Sequence, residues 1–340
     1  MAHQHAIPLA KVVFITASVI ESASAFGIAT RPSPSHMHTG LCSQNLGCGV
    51  GIGTATAEHF FAGDDETTHG MPWSTSISEN PSDRMEFMPF WNWQMAHMQD
   101  HLTDLEMIRV PANLTYAENN SRNNNKARVI NLTFRSAECR KIRVLYYDAG
   151  STQVYNTMWY SDESIDAPVL GISIMGFGGK RYLAMADFQP LHGDGNAELP
   201  RAFRDALIDI RGRSPTLHGK LSGRYYEGTR YFSEHILHGR FADASAVEDN
   251  ILPAFQTCVS EYAALLRQTT PDDSQEGRCH VGNLQAAYDT YCGGRDPATE
   301  MFGAVFGKEW AMRFVYDSLF NLGEKPPEYA ELFEERNGKI

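Results

Sequence analysis

The sequence predicts an α+β domain in which helices cover an antiparallel sheet. Three observations carry this. Residues 129–188 hold five apolar or alternating runs joined by short turns, whereas parallel crossovers need about a dozen residues or more. Beyond Pro190 the apolar period changes from two to about 3.6. The strand-rich part also precedes the helix-rich part instead of alternating with it.

The elements follow in order. Pro89–Leu105 places Trp91, Met95, Met98, Leu102 and Leu105 at spacings of three and four, which predicts an amphipathic helix. The polar stretch 118–125 reads as a loop. Val129–Phe134, Ile142–Tyr147, Gln153–Tyr160, Val169–Phe177 and Tyr182–Phe188 read as strands. Gly150 marks a turn, Asp166-Ala167-Pro168 breaks the chain, and Gly178-Gly179 closes a hairpin. Ala202–Ile210, Ser245–Arg267 and Val281–Tyr291 read as helices, and Tyr231–Phe241 as a strand or a short helix. Trp310, Ala311, Phe314, Val315 and Leu319 make the stripe of a final helix.

Composition narrows the class. The 340 residues are 42% hydrophobic and 21% charged, which excludes a disordered or fibrous chain. A net charge of −12 argues against a nucleic-acid binder. No run of 18 apolar residues is present, so no membrane-spanning helix is expected. The six cysteines form no C-x-x-C pair, so neither a zinc knuckle nor an iron–sulfur site is expected, and free thiols in a reducing compartment fit.

The N-terminus reads as an address. Lys11, the apolar run 12–20 and Ala23-Ser24-Ala25 resemble a secretory signal over residues 1–25. From Phe26 to Ala57 there is one basic residue, Arg31, and no acid, in a hydroxyl-rich stretch of transit-peptide type. The two in series resemble the bipartite leader of complex-plastid proteins. The expectation is a signal at 1–25, a disordered plastid transit segment at 26–80, a mature domain at 81–340 and a stromal location.

Local motifs are sparse. Gly176–Lys180 lies between two strands, so it reads as a hairpin turn and not a phosphate loop. His235-x-x-His238 lacks a visible third ligand, and no metal site is expected. On one strand Val154, Asn156 and Met158 share a face; on the next, Val169, Gly171, Ser173 and Met175 do. Polar Asn156 and Ser173 among apolar neighbours are either structural polar groups or the floor of a pocket; the pocket gains weight if both face one side of the sheet. Gly171 would let a bulky ligand approach. Asp296, ahead of Pro297, reads by spacing as a helix N-cap. Arg122, Lys126, Arg128, Arg135, Arg140, Lys141 and Arg143 face only Glu118 and Glu138 in one segment, either a dock for an acidic partner or a solvated edge.

Longer blocks carry a resemblance. They are Arg140-Lys141-Ile142-Arg143, Gly150–Asn156, Asp166–Ile172, Ala186-Asp187-Phe188-Gln189-Pro190-Leu191, Tyr231-Phe232-Ser233 with Gly239-Arg240, Arg295-Asp296-Pro297 and Phe306–Trp310. In this order they resemble the ferredoxin-dependent bilin reductases across roughly residues 85–322. The run Asn119–Asn124 and the pair Tyr155-Asn156 look most like the 15,16-dihydrobiliverdin:ferredoxin oxidoreductase subfamily, read as phycoerythrobilin-forming.

The resemblance implies a three-layer α/β/α sandwich with the bilin between the sheet and the C-terminal helices. It implies no flavin, metal or nicotinamide, with electrons arriving singly from an external [2Fe–2S] ferredoxin. The conjugated bilin holds the unpaired electron, so the protein needs only placed proton donors. A carboxyl in an apolar pocket can stay protonated at neutral pH, which makes Asp296 the leading donor. Asn156 would orient the bilin or a water, and Ser173 stands where much of the family has Asp. Lys180, Arg181 and Arg240 would hold the propionates, with Gly171, Met158 and Met175 beside the rings. Arg122, Lys126, Arg128, Arg140 and Lys141 would receive the acidic ferredoxin.

The expected reaction is reduction of the A-ring diene of 15,16-dihydrobiliverdin to phycoerythrobilin. The alternatives are reduction of biliverdin at C15–C16, a carrier inactivated by Ser173, or a lyase partner. Substrate handover from an upstream reductase is a further expectation.

Overall fold

The computed structural model describes residues 70–78, 84–119, 126–192, 198–220 and 230–333. Residues 1–69 of the expected leader, Arg122 and most of the polar loop lie outside them. Five long strands form where the apolar runs predict them: β3 (Ala127–Arg135), β4 (Cys139–Asp148), β5 (Thr152–Ser161), β6 (Val169–Phe177) and β7 (Arg181–Gln189). Each pairs antiparallel with the next. Gly178 and Gly179, with φ of 63° and 65°, supply the left-handed backbone of the β6–β7 hairpin.

Three short strands complete one eight-stranded sheet. They are β1 (Glu106–Met107), β2 (Tyr116–Asn119) and β8 (Leu237–Phe241). The order is β1-β3-β4-β5-β6-β7-β8, with β2 also on β3. Thus the strand alternative holds for the second half of 231–241.

Helices cover both faces. One layer holds α1 (Met88–His101), α3 (Arg201–Arg213) and α4 (Leu252–Gln268), the last preceded by a π-turn at Val247–Ile251. Their apolar residues join the sheet residues Ile130, Tyr146, Tyr155, Ile172, Ile174 and Phe188 in one core. The other layer holds α5 (Gln275–Gly293), α6 (Ala298–Phe306) and α7 (Lys308–Arg313), with a π-turn at Phe314–Leu319. It packs on Leu145, Val154, Met158, Tyr160 and Met175. The short α2 (Ala112–Thr115) and α8 (Pro327–Phe333) sit at the periphery. The α/β/α sandwich is therefore present. No helix among the described residues is long and apolar enough to cross a membrane.

Three boundaries differ from the sequence reading. The first helix stops at His101, not Leu105, because Glu138 accepts from the Thr103 N–H and hydroxyl and Asp104 turns the chain at φ 51°. The final helix is not continuous, since its second half is the π-turn. The folded chain also begins before residue 80. Met71 and Trp73 are buried in the core. Ser76 Oγ and the Ile77 N–H donate to the buried Asp148 carboxylate at 2.9 and 2.7 Å.

Candidate active site

Strand register puts Asn156 and Ser173 on the same side. Directly opposed residues point to one face, and Leu145, Asn156, Ser173, Met185 and His238 stand in one row across β4–β8. The adjacent row is Thr133, Arg143, Met158, Gly171 and Asp187. The row on the other side is Tyr147, Val154, Met175, Leu183 and Arg240. All three rows lie under α5, α6 and the second π-turn, so the condition that favoured a pocket is met.

The centre of this face is polar, buried and incompletely bonded. Arg143 is fully buried; its Nη2 donates to Asn156 Oδ1 at 2.7 Å, and Asn156 Nδ2 donates to the Ile172 carbonyl at 2.9 Å. Arg143 Nε and Nη1 find no hydrogen-bond partner among the described residues. Neither do Thr133 Oγ1, Asn131 Oδ1, Ser173 Oγ or Gln189 Nε2. Burial pulls the Arg143 pKa down, opposed by the nearby Tyr160, Asp296, Tyr288 and Asp289. Buried polar groups are normally satisfied, so this cluster makes the face the candidate binding surface.

Asp296 sits across from the sheet, at the α5–α6 junction, and is buried. Its Oδ1 accepts from the Ala298 N–H at 2.8 Å, a local bond in the turn that leads into α6; the helix itself is preceded by Pro297 and has no side-chain cap, so the N-cap reading is corrected and Asp296 stands one residue before that position. That bond occupies one oxygen, and the carboxyl lies close enough for its charge to be felt at Arg143, Tyr316 and Cys292. Tyr231, Tyr288 and Tyr291 form an aromatic wall beside it, with centroids 5.1 and 5.3 Å from Tyr231.

The remaining predicted residues divide. Met158 and Met175 are buried on the face. Gly171 is on it too, but its notch is filled: a Cβ there would lie 2.9 Å from the Gln189 side chain. Arg240 stands at the exposed end of the Met175 row, Arg181 opposes Phe177 on the same side, and Lys180 is exposed in the hairpin turn.

The basic segment needs correction. Strand alternation with both faces covered turns some of its charges inward. Lys141 is buried and donates to the Ser318 and Leu319 carbonyls and to Asn321 Oδ1, at 2.7, 3.0 and 2.6 Å; burial pushes its pKa down to about 7. Arg128 bonds Asp148 at 2.8 Å and lies 4.2 Å over Trp73, pinning the N-terminal segment. Neither offers its charge to a partner. Arg140 is partly exposed, with Nε on Gln285 Oε1 at 2.6 Å, and Lys126 is partly exposed.

Residues that sequence reasoning missed also gather here. Asp187 is fully buried and receives the Ser233 N–H and hydroxyl; burial raises its pKa to about 8. Tyr160 donates to the buried Asp289 at 2.8 Å, whose pKa burial also raises. Arg230 and Arg295 lie 5.0 and 4.2 Å over the Tyr291 ring. Asp187 was visible only as part of a matching block, and nothing local distinguished Arg143 from surface charge. A cleft of about 260 Å³ lined by Ile210, Arg213 and Asn250 lies against α3 and α4, beyond the opposite face of the sheet.

The arrangement offers buried donors for carbonyl or carboxylate oxygens, an aromatic wall, and carboxyl groups within the same layer. It suits a long conjugated acid more than a small polar metabolite. The sequence model of the ferredoxin-dependent bilin reductases matches residues 94–321. A protein of Gloeobacter violaceus named 15,16-dihydrobiliverdin:ferredoxin oxidoreductase is 34% identical over 231 residues, covering 66% of this chain and 93% of that one. Proteins of the same name from Nostoc punctiforme and Parasynechococcus marenigrum are 33% and 36% identical, covering 64% and 63% of this chain and 88% and 89% of theirs. Among solved structures, tomato phytochromobilin synthase in complex with biliverdin superposes with a TM-score of 0.59 at 18% identity, over 75% of this chain and 91% of that one. That likeness is one of fold.

Proposed function

This chain belongs to the ferredoxin-dependent bilin reductases, and we propose that it reduces biliverdin to 15,16-dihydrobiliverdin. Of the two reactions expected from the sequence, this was the second. A donor:acceptor name makes 15,16-dihydrobiliverdin the donor and ferredoxin the acceptor in the written direction. Supplied with reduced ferredoxin, the same couple runs toward 15,16-dihydrobiliverdin, and that supports the bridge reduction over the A-ring reduction.

The observation that carries the site is the cluster of buried, partnerless polar atoms around Arg143 and Ser173. In this reading the bilin lies between that face and α5–α6. Arg143 directs its two open N–H groups at a bilin oxygen, where negative charge grows as each electron arrives. Two electrons come singly from ferredoxin, and two protons end on C15 and C16. Asp296 delivers one proton from the helical side. Ser173 is a poor acid, so it relays a hydrogen bond and the second proton comes through water. Asn156, held by Arg143 and the Ile172 carbonyl, sets the ring orientation. Arg181, Arg240, Arg230 and Arg295 edge the site and suit the propionates. Ferredoxin docking then falls to Lys126 and Arg140 among the described residues, with Arg122 beside them in sequence. A stromal location remains part of the proposal, resting on the leader composition alone.

The test is anaerobic turnover with reduced plant-type ferredoxin, supplying biliverdin and 15,16-dihydrobiliverdin in parallel and separating products by chromatography. Loss of biliverdin with 15,16-dihydrobiliverdin as product is expected. Phycoerythrobilin from 15,16-dihydrobiliverdin alone would overturn the bridge reduction in favour of the A-ring reaction. Tight binding of both bilins without reduction of either would make the chain a carrier.

A further inference from the structure

Three imidazole and carboxylate side chains meet on the surface, away from the site above. Asp166 lies in the β5–β6 connection, His192 just after β7, and His280 in the second turn of α5. One ligand atom from each lies within 4.8 Å of the others, and His192 Nε2 is 3.6 Å from Asp166 Oδ2. The two imidazole rings are 6.0 Å apart between centroids. All three residues are exposed.

We propose that Asp166, His192 and His280 form a surface site for a zinc-class divalent ion that fastens α5 to the strand ends of the sheet. Two nitrogens and one carboxylate oxygen are a common donor set for such an ion. Bonds of about 2.0–2.2 Å place neighbouring ligand atoms roughly 3–3.5 Å apart. The Asp166–His192 pair is already near that spacing. Exposed side chains on χ1 and χ2 can close the remaining gap to His280, and water fills the open positions. Borderline imidazole and oxygen donors favour late first-row ions over calcium or magnesium.

The three residues come from three separate segments, so an ion there links them as no single contact does. α5 is the helix that lies over the polar sheet face: Gln285 donates to the Ser161 carbonyl, Tyr288 to Gln189 and Asp289 accepts from Tyr160. A bound ion would therefore hold the covering helix in place near its N-terminal end. The inference is independent of which bilin is reduced, because its ligands touch none of the groups placed in the reaction.

The experiment is isothermal titration of the untagged full chain with Zn²⁺, alongside thermal unfolding. Because the leader holds other histidines, the readout is the difference between the wild-type chain and the variants His280→Ala and Asp166→Asn. The wild type is expected to bind one more equivalent than His280→Ala, and Asp166→Asn to weaken that equivalent at least tenfold. Saturating Zn²⁺ should raise the wild-type Tm by about 5 °C, an increment His280→Ala loses. Equal stoichiometry and equal Tm shifts in the wild type and His280→Ala would overturn the proposal. So would retention of the extra equivalent in His280→Ala with its loss in Cys279→Ser, since the ion would then be held by the neighbouring exposed thiol.

Discussion

The two faces of the one sheet are built from the same strands by the same alternation, yet the strands' own polar side chains are bonded differently on the two. Toward α1 and α4, the polar side chains of the strands are few and closed into small circuits, while Trp73 Nε1, Asn92 Oδ1 and His97 Nε2 of the covering segments keep no partner among the described residues. Thr157 Oγ1 accepts from Gln94 Nε2 at 2.9 Å and from Trp159 Nε1 at 3.1 Å, and Tyr155 donates to Gln94 Oε1 at 2.7 Å. Asp148 accepts from Ser76, Ile77, Gly150 and Arg128. Toward α5 and α6, Arg143, Thr133, Asn131, Ser173 and Gln189 each keep a buried polar atom without a partner. On the first face the strand polar groups bond one another; on the second they stay open under the helices. The lesson is that burial alone does not separate the two, whereas hydrogen-bond accounting does.

The comparison can be broken in four places. The largest effect belongs to Asp296→Asn, which should lower bilin turnover about a hundredfold or more and leave bilin affinity within a few fold. Normal single-turnover rates in that variant would remove Asp296 from the chemistry. On the face under α1, Thr157→Val leaves two buried donors bare and should lower unfolding free energy by about 2 kcal/mol in urea titrations. Its bilin affinity should not change; a loss there would mean the faces are not separate.

Arg143→Met should do the reverse. Removing a buried cation that lacks a salt bridge should leave the bilin-free protein as stable as before or more so. Bilin affinity, read by absorbance titration, should fall about tenfold. A strong loss of stability with unchanged affinity would make Arg143 a structural group.

The smallest effect is in pH dependence. The Asp187 carboxyl has a folded pKa of about 8, above its unfolded value near 3.9. The folded state thus holds the extra proton between about pH 4 and pH 8, and stability from this group falls as pH rises through that window. Asp187→Asn should flatten the slope between pH 5 and pH 8. Identical pH profiles for the wild type and the variant would show that Asp187 titrates normally.

Much of this was legible because period-two alternation and glycine turns are local signals. All five long strands, the Gly178-Gly179 hairpin, the face Asn156 shares with Val154 and Met158, and the face Ser173 shares with Gly171 and Met175 follow from them. Register was not legible, because it depends on pairing between strands, and only pairing sets Asn156 against Ser173. Arg143 and Lys141 were misjudged for a different reason. Read as composition, they add to a basic patch; read in phase with Leu145 and Tyr147, they point inward on a strand whose both faces are covered. The N-terminal segment was missed because Met71 and Trp73 sit in a stretch whose composition resembles the leader. Asp166, His192 and His280 are far apart in the chain, and nothing but the fold brings them together.

The filled notch at Gly171 has a consequence for how the sequence can drift. A β-methyl there would press on the Gln189 amide, and that amide is not free to swing away, since Tyr288 of α5 donates its hydroxyl to Gln189 Oε1. Three residues from two strands and a helix thus form a single unit of inheritance. Relatives that carry a side chain at the Gly171 position should also differ at the partners of Gln189 and Tyr288, with the substitutions arriving together and not one by one.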